Sequence, residues 1–491
     1  MTLADERLKE LDNPSLTADE RALIRSRVAA DLTHAGRYEA AREALGELWG
    51  GAGERPKVEG LGERAAAEVL LQAGVLSGWL GKGKGAQEAA KDLISESAAL
   101  FEKLGESDRT ATARADLALC YWREGAYDDA RAILESASAL IKEDTTLKAK
   151  TILRFVVVES SAGRHSDALR LLTESAPLYG EGAGHTLRGS FHNELAIALY
   201  FLGQAERRSD YTDRAILEYT AAAYHFEQAR HERYFARIEN NLAFLLYKLG
   251  RYRDAHGHLD RAQMVLTRLR DAVSLAQVDE TRARVLVAER KYREADRTLA
   301  GVLKTLEQGD ESALLADAFT VQGVVWARLR AYQSSVNILR RSADMAEGVG
   351  ALANAGQAVL ALIEEHGASK RLTPAEVYEA YLRANRLLKE TQDAEDLARL
   401  RACSLMVMRR LSDPAIHEKN FSLYGAIHEL EAKLIGQALD ESGGSITKAA
   451  RILGLSHQTL ISILENRHKA LAVKRRPAQR RLKSIIKEPK E

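Results

Sequence analysis

A short phrase recurs along most of the chain and constrains its fold more than any other feature. In the clearest copy, residues 250–255, a glycine is followed by a spacer, a tyrosine, two polar residues and an alanine. Successive ring positions of the phrase are 38, 46, 41, 40 and 40 residues apart. A nearly fixed period of this length predicts a solenoid in which each helix pair packs on its neighbours. The ring residues are Tyr127, His165, Tyr211, Tyr252, Tyr292 and Tyr332, with an earlier copy at Tyr38.

Each position of the phrase has a physical role. The glycine ends a first helix, because left-handed dihedral angles cost glycine little. The aromatic residue opens a second helix and packs back across the turn, and the alanine is small enough to let two helices approach closely. Only seven prolines occur in 491 residues, which suits a helix-rich chain because proline breaks helix interiors. We therefore expect an all-α fold.

The two best copies resemble the tetratricopeptide repeat. One contains Asn241, Leu242, Ala243, Tyr247, Leu249, Gly250, Tyr252 and Ala255, and the other contains Asn193, Leu195, Ala196, Tyr200, Leu202 and Gly203. The family repeat has about 34 residues, whereas the period here is nearer 40, so longer helices or turns are expected, as in the extended variants of bacterial regulators. The resemblance covers roughly 17–390, or about eight to nine repeats. We assign residues 1–410 to this array.

The resemblance also implies a curved stack with a concave groove that takes a peptide, a partner helix or a segment of the same chain. Aromatic and amide side chains of the central repeats are the candidate lining. The alternative is that most of these rings belong to the core between repeats, since buried aromatic residues are mostly packing. The candidates are Tyr200, Tyr219, Tyr224, Phe235, Asn240 and Tyr247.

The period ends after Leu411, where Ser412-Asp413-Pro414 indicates a stop and a restart. We place a linker at 411–420, a second domain at 421–469 and a basic tail at 470–491. The second domain opens with a predicted helix over 421–442, which Gly443-Gly444 terminates. One face of that helix is apolar and is formed by Tyr424, Ile427, Leu430, Leu434 and Ala438.

Residues 446–465 satisfy the template of a helix-turn-helix. The fifth position must be small because two helices cross there, and it is Ala450; the ninth must turn, and it is Gly454. Five further positions must be apolar to fill the small core. They are Ala449, Leu453, Leu455, Leu460 and Ile463, so all seven constraints are met.

The run 443–456 resembles the Fis-type helix-turn-helix that ends many bacterial enhancer-binding activators, and the match covers about 45 residues. This resemblance implies that the long helix forms a dimer interface and that the second short helix enters the major groove of DNA. The sequence departs from the family pattern at 461–466, where basic residues are missing. They follow instead at 467–469 and in the tail.

The expected partner is double-stranded DNA, read by few side chains and held by many cations. Base edges are within reach of His457, Gln458 and Ser462, and Gln458 suits adenine. Segment 467–491 carries ten Lys/Arg and two Asp/Glu, a charge of +8, while the rest of the chain carries −7. Such an arm neutralises phosphates without reading sequence. The expected phosphate contacts are Thr447, Lys448, Ser456, Thr459, Arg467, His468, Lys469, Lys474, Arg475, Arg476, Arg480, Arg481 and Lys483.

Enzymatic motifs are missing from the sequence. The glycines at 81–85 do not have the spacing of a phosphate-binding loop, and no HExxH motif occurs. Two cysteines cannot build a zinc site or a disulfide framework. We expect no catalytic residues, cofactor or metal. The chain lacks a signal peptide and a run of about 20 apolar residues, so we expect a cytoplasmic protein without a membrane partner.

These features favour a bacterial transcriptional regulator. Its array would sense a peptide or protein partner, and its C-terminal module would bind DNA as a homodimer through residues 421–442. The alternative is an interaction scaffold whose C-terminal module serves dimerisation or RNA binding. A small helical bundle with a solvated basic tail would satisfy that alternative.

Overall fold

The structure is a computed structural model and describes residues 10–81, 84–309, 311–369, 371–389, 391, 393–412 and 422–474. Within these residues, α-helices and four short 3-10 segments are the only regular elements. The chain divides into two compact units, Met1–Val407 and Met408–Glu491. The predicted all-α class is confirmed for the described residues.

The first unit is built from helix pairs joined by short turns. Nine pairs are described, and a further helix follows them and crosses the boundary between the two units. The helices are α1 Ala18–His34, α2 Tyr38–Leu45, α3 Glu63–Leu80, α4 Lys84–Lys103, α5 Ser107–Arg123, α6 Tyr127–Ser138, α7 Thr145–Ser161, α8 His165–Ser175, α9 His185–Glu206, α10 Ser209–Gln228, α11 Glu232–Lys248, α12 Tyr252–Leu269, α13 Ala272–Ala288, α14 Tyr292–Leu306, α15 Ser312–Arg328, α16 Tyr332–Gly348, α17 Leu352–His366, α18 Pro374–Leu387 and α19 Ala394–Ser412.

The residues of the recurring phrase take the positions that their physical roles require. Its ring residue is the first residue of the second helix in six pairs, and Tyr211 is the third residue of α10. Its small residue is fully buried between helices, as at Ala255, where no surface is exposed. The other fully buried small residues are Ala41, Ala130, Ala168, Ala215, Ala295 and Ser335. The predicted array of extended tetratricopeptide-type repeats is therefore confirmed.

In seven of the nine pairs, the described part of the turn contains one residue with left-handed backbone angles. Gly250 supplies it in the clearest copy, with φ of +73°. In pairs without this glycine an arginine takes over, with φ of +62° at Arg290 and +68° at Arg330. A side chain in this region costs roughly 1–2 kcal/mol. The turn geometry is thus kept even where the favourable residue is missing.

The array curls so far that its sixth helix pair touches its first. His231, just before α11, donates from Nε2 to the carbonyl of His34 at 3.0 Å. Arg233 donates to the carbonyl of Gly36 and lies 3.6 Å from the Glu39 carboxylate. A Cβ at Gly36 would lie 2.9 Å from the His231 ring, so glycine permits this close approach. We call these contacts between 34–39 and 231–233 the clasp.

The second unit contains three described helices, α20 Leu423–Glu441, α21 Ile446–Ile452 and α22 His457–Asn466, and a 3-10 segment Lys469–Lys474. Its core joins Ile435 and Leu439 of α20 to the two short helices. Ser422 caps α20, so this helix begins two residues later than predicted. Most of the predicted linker, 413–420, lies outside the described residues, and the domain limits remain predictions.

Replacing Gly250 by alanine should lower the free energy of unfolding by about 1 kcal/mol, because alanine is strained at this left-handed φ. Nothing lies within 4 Å of the added Cβ, so backbone strain is the only new cost. Urea unfolding of the full chain measures the change. The matched control is Gly257→Ala in α12, which also has open space but should gain about 0.5–1 kcal/mol from helix propensity. Equal effects would contradict this account of the turn.

Candidate functional site

Two tight turns hold the three helices of the second unit. Gly443 and Gly444 have φ of +60° and +81° between α20 and α21, and Gly454 has φ of +66° between α21 and α22. The Ser456 hydroxyl accepts the Thr459 backbone N–H at 3.0 Å and caps the start of α22. Ser445 occupies the cap position of α21 without a side-chain hydrogen bond.

The template positions of the helix-turn-helix form its core. Ala449, Ala450 and Leu460 are buried. Leu453, Leu455 and Ile463 are half-buried and pack against them. Leu464 is fully buried as well and was missed, although it stands four residues after Leu460 on the same helical face. The predicted helix-turn-helix is confirmed.

This core leaves one face of α22 open to solvent. His457, Gln458 and Ser462 are exposed on it, and Thr459 is exposed next to the cap. The backbone carbonyl of Ser462 accepts a hydrogen bond from Asn466 Nδ2 at 2.9 Å. The face carries amide, imidazole and hydroxyl groups, which can donate and accept hydrogen bonds. On α21, Thr447 and Lys448 are also exposed.

His468 was predicted to contact phosphate, but its side chain is turned toward α20. His468 is only 5% exposed, and its Nε2 lies 3.0 Å from the Glu431 carboxylate on α20. Arg467 also pairs with Glu431, at 3.0 Å. Although burial raises the pKa of Glu431, the hydrogen bonds from His468 and Arg467 hold it below its ordinary value. His468 therefore ties the chain after α22 back to α20.

The remaining predicted phosphate contacts divide into two groups. Lys469 is exposed in the 3-10 segment. The side chain of Lys474 and the rest of the tail lie outside the described residues. The tail positions concerned are Arg475, Arg476, Arg480, Arg481 and Lys483.

The apolar face predicted on the long helix is partly exposed. Tyr424 is 75% exposed, Ile427 and Leu430 are each 57% exposed, and Leu434 is 46% exposed. Ala438 was placed on the same face but is buried in the core of the module, because α20 turns that end toward α21. An exposed stripe of four large apolar residues remains. We call these four residues the α20 stripe.

The first unit forms a partly open cavity of about 1730 Å³ on the inner side of its curl. Its walls come mainly from the first helices of six pairs, α1, α3, α5, α7, α9 and α11. On α11 the lining residues are Tyr234, Arg237 and Asn241, which share one helical face. Asn193 on α9 lies 3.4 Å from Asn241, amide to amide. We call this space the array cavity.

None of the six predicted groove residues lines the array cavity. Tyr219 is buried in the core between helices, and it lies with Tyr224 on α10, a second helix that does not face inward. Tyr224 is exposed elsewhere on the surface. Three others, Tyr200, Phe235 and Tyr247, are half-buried rings packed against the core. Asn240 directly precedes the lining residue Asn241 on α11 and does not face the cavity.

Aromatic and cationic groups meet where the array cavity approaches the clasp. Tyr38 stacks on Trp79 with ring centroids 4.9 Å apart. The guanidinium of Arg123 lies 4.2 Å from the Trp79 ring, and that of Arg237 lies 4.3 Å from the Tyr234 ring. Burial lowers the pKa of Arg123. Such a wall can hold flat or apolar groups, and its guanidinium groups can attract a negatively charged group.

The described part of the chain shows neither a candidate metal site nor a candidate membrane span. No group of three or more His, Cys, Asp or Glu residues there is arranged to hold a metal ion. His256 and His258 each bond to a different glutamate, Glu289 and Glu239. In the same residues no helix combines the length and apolarity required to cross a bilayer.

One family and several solved structures are similar to parts of this chain. Residues 426–462 match the family described as bacterial regulatory protein, Fis family. No curated protein matches significantly. Similar solved structures include a Rap protein complexed with competence and sporulation factor (17% identity, 75% of this chain and 100% of that chain, TM-score 0.47). Others are aspartyl phosphate phosphatase F from Bacillus subtilis (12%, 78% and 97%, 0.48) and yeast Tom70 (12%, 85% and 88%, 0.42). The helix pairs described above and the family match together show a tetratricopeptide-type array combined with a Fis-type helix-turn-helix module.

Proposed function

We propose that this protein is a bacterial, cytoplasmic transcriptional regulator that binds DNA through its second unit. The observation that carries the proposal is the exposed polar face of α22 on a fully formed helix-turn-helix core. In such modules the second short helix enters the major groove with its N-terminal residues at the base edges. Here those residues are His457 and Gln458.

Recognition of the DNA sequence would rest on few side chains, and most of the affinity for DNA would come from basic residues. Gln458 has the amide that pairs bidentately with adenine. Lys448 and Lys469 are exposed cations on the same module and would contact phosphates, together with the basic residues after 474. This division predicts strong salt dependence and modest sequence discrimination.

Gel shifts with the full-length protein and genomic DNA fragments test the proposal. Gln458→Ala should weaken binding to the preferred fragment by about 1–3 kcal/mol and leave non-specific binding unchanged, because it removes one base contact. Lys448→Ala should weaken binding to all fragments and reduce the salt slope by about 1. Removing residues 470–491 should flatten that slope further.

Two array variants are the matched controls. Gln333→Ala removes an exposed glutamine from α16, and Arg293→Ala removes an exposed cation from α14. Both should bind DNA like the wild type. No DNA affinity at moderate salt would contradict the proposal and favour the scaffold alternative. An unchanged salt slope after removal of the tail would contradict its role.

We further propose that the protein binds DNA as a homodimer through α20. The α20 stripe presents Ile427 and Leu430 on one face of a helix that has no other described partner there. A two-fold dimer would set two copies of α22 about one helical turn of DNA apart, which suits a pseudo-palindromic site. Burial of these side chains would stabilise the dimer.

Leu430→Asp should raise the dimer dissociation constant at least about ten-fold, since a carboxylate in the interface loses its hydration without a partner. Sedimentation of the full-length protein measures this change, and specific DNA affinity should fall in parallel. Glu429→Ala lies on the opposite, solvent side of α20 and should leave both quantities unchanged. A dimer that tolerates Leu430→Asp would rule out this interface.

The array would supply the signal. Its cavity is far larger than most small-molecule pockets, which occupy roughly 300–1,000 Å³, and the amides of Asn193 and Asn241 face each other across neighbouring repeats within it. Amide side chains can bond both the N–H and the C=O of a peptide backbone. We therefore assign to the array the sensing of a short peptide, whose binding would change the DNA affinity of the second unit.

A further inference from the structure

One wall of the array cavity carries a cation without a counter-ion. Lys150 on α7 lines the cavity and has no carboxylate within ion-pair distance among the described residues. Its neighbour Arg154 is engaged by Asp116 of α5. Burial and the charge of Arg154 lower the pKa of Lys150, although the charges of Asp116 and Asp144 act in the opposite direction. A partly desolvated cation of this kind is stabilised by any anion that reaches it.

A residue of the first repeat lines the cavity beside this lysine. His34, at the end of α1, lines the cavity near Lys150 and Arg154. Burial lowers the pKa of His34, and the charge of Lys150 adds to this effect, whereas Asp116 and Asp31 oppose it. Lys150 remains incompletely neutralised, because Asp116 and Asp144 do not restore the ordinary pKa of its ammonium group.

An apolar strip continues from Lys150 along the cavity wall. Leu153 and Val157 stand three and seven residues after Lys150, on the same inward face of α7. Trp122 of α5 and Phe201 of α9 line the cavity as well. A ligand that reaches Lys150 with a negative group can therefore lay apolar side chains on this strip.

The cavity is not suited to a polyanion. Five carboxylates line it and balance its five Lys and Arg residues, so it lacks the excess positive charge that a polyphosphate or a nucleic acid requires. A single carboxylate at Lys150 stays compatible with them. The acidic lining residues are Asp108, Asp116, Asp144, Glu181 and Glu194.

We propose that the array cavity binds a short peptide whose carboxylate pairs with Lys150 and whose apolar side chains pack on Leu153 and Val157. This inference rests on the proposed peptide sensing and names the chemistry that selects the peptide. The carboxylate has two sources, the peptide C-terminus and an Asp or Glu side chain. Both present the same group to the lysine.

Four random pentapeptide pools distinguish these sources: free acid, C-terminal amide, free acid without Asp and Glu, and amide without Asp and Glu. The full-length protein is immobilised, and retained peptide is quantified by mass spectrometry. The wild type should retain the pool without carboxylates about ten-fold less than the free-acid pool, because it lacks the charge-assisted bond. The two intermediate pools show which carboxylate is used.

Lys150→Met should remove this preference for carboxylate, while Lys150→Arg should keep it. The matched control is Lys148→Met, an exposed lysine on the same helix that does not line the cavity. Thermal unfolding shows whether each variant is folded, and Lys150→Arg carries the test if Lys150→Met is not.

Three outcomes would overturn the inference. Equal retention of all pools by the wild type would remove the role of the carboxylate and leave peptide sensing intact. A preference that survives in Lys150→Met would remove the role of this lysine. Retention of no pool would overturn peptide sensing itself, and the gel shifts would still decide DNA binding separately.

Discussion

The array depends on one contact that recurs in seven of its nine described pairs: a small residue of the second helix packs directly against the first helix. Ala255 and its equivalents expose no surface, so nothing larger fits between the helices. A single helix pair cannot bury its apolar face alone, and each pair completes its core on the next one. The curl of the array, the inward direction of the first helices and the array cavity all follow from this stacking.

Local rules explain how much of this fold could be predicted from the sequence. The phrase around Gly250 fixes a turn and the start of a helix within a few residues, and the helix-turn-helix positions from Ala450 to Gly454 do the same. The left-handed backbone angles of Arg290 and Arg330 were not predicted, because arginine disfavours positive φ. The packing of the flanking helices imposes these angles. Local rules therefore predicted the elements and missed what tertiary packing imposes.

The candidate sites were harder to predict for two physical reasons. A helical residue such as Asn240 faces a different surface from its neighbour Asn241, so a register error of one position moves a side chain off the cavity wall. His468 belongs to a basic run in sequence, yet the Glu431 carboxylate on α20 turns it inward. The composition of the run cannot reveal a partner 37 residues away. The clasp, between residues 197 positions apart, is likewise invisible to periodicity.

The clasp converts the first six repeats from part of an open solenoid into a closed ring. An open solenoid behaves as a linear chain of coupled units, and its end units have one neighbour each and fray first. The bonds from His231 and Arg233 give the first repeat a second neighbour. The six repeats around the cavity therefore form a closed ring, in which every repeat has two neighbours. Local unfolding of one repeat in a ring is opposed by the neighbours on both of its sides. Local stability is therefore similar in these six repeats and does not decrease from the centre of the array toward its end.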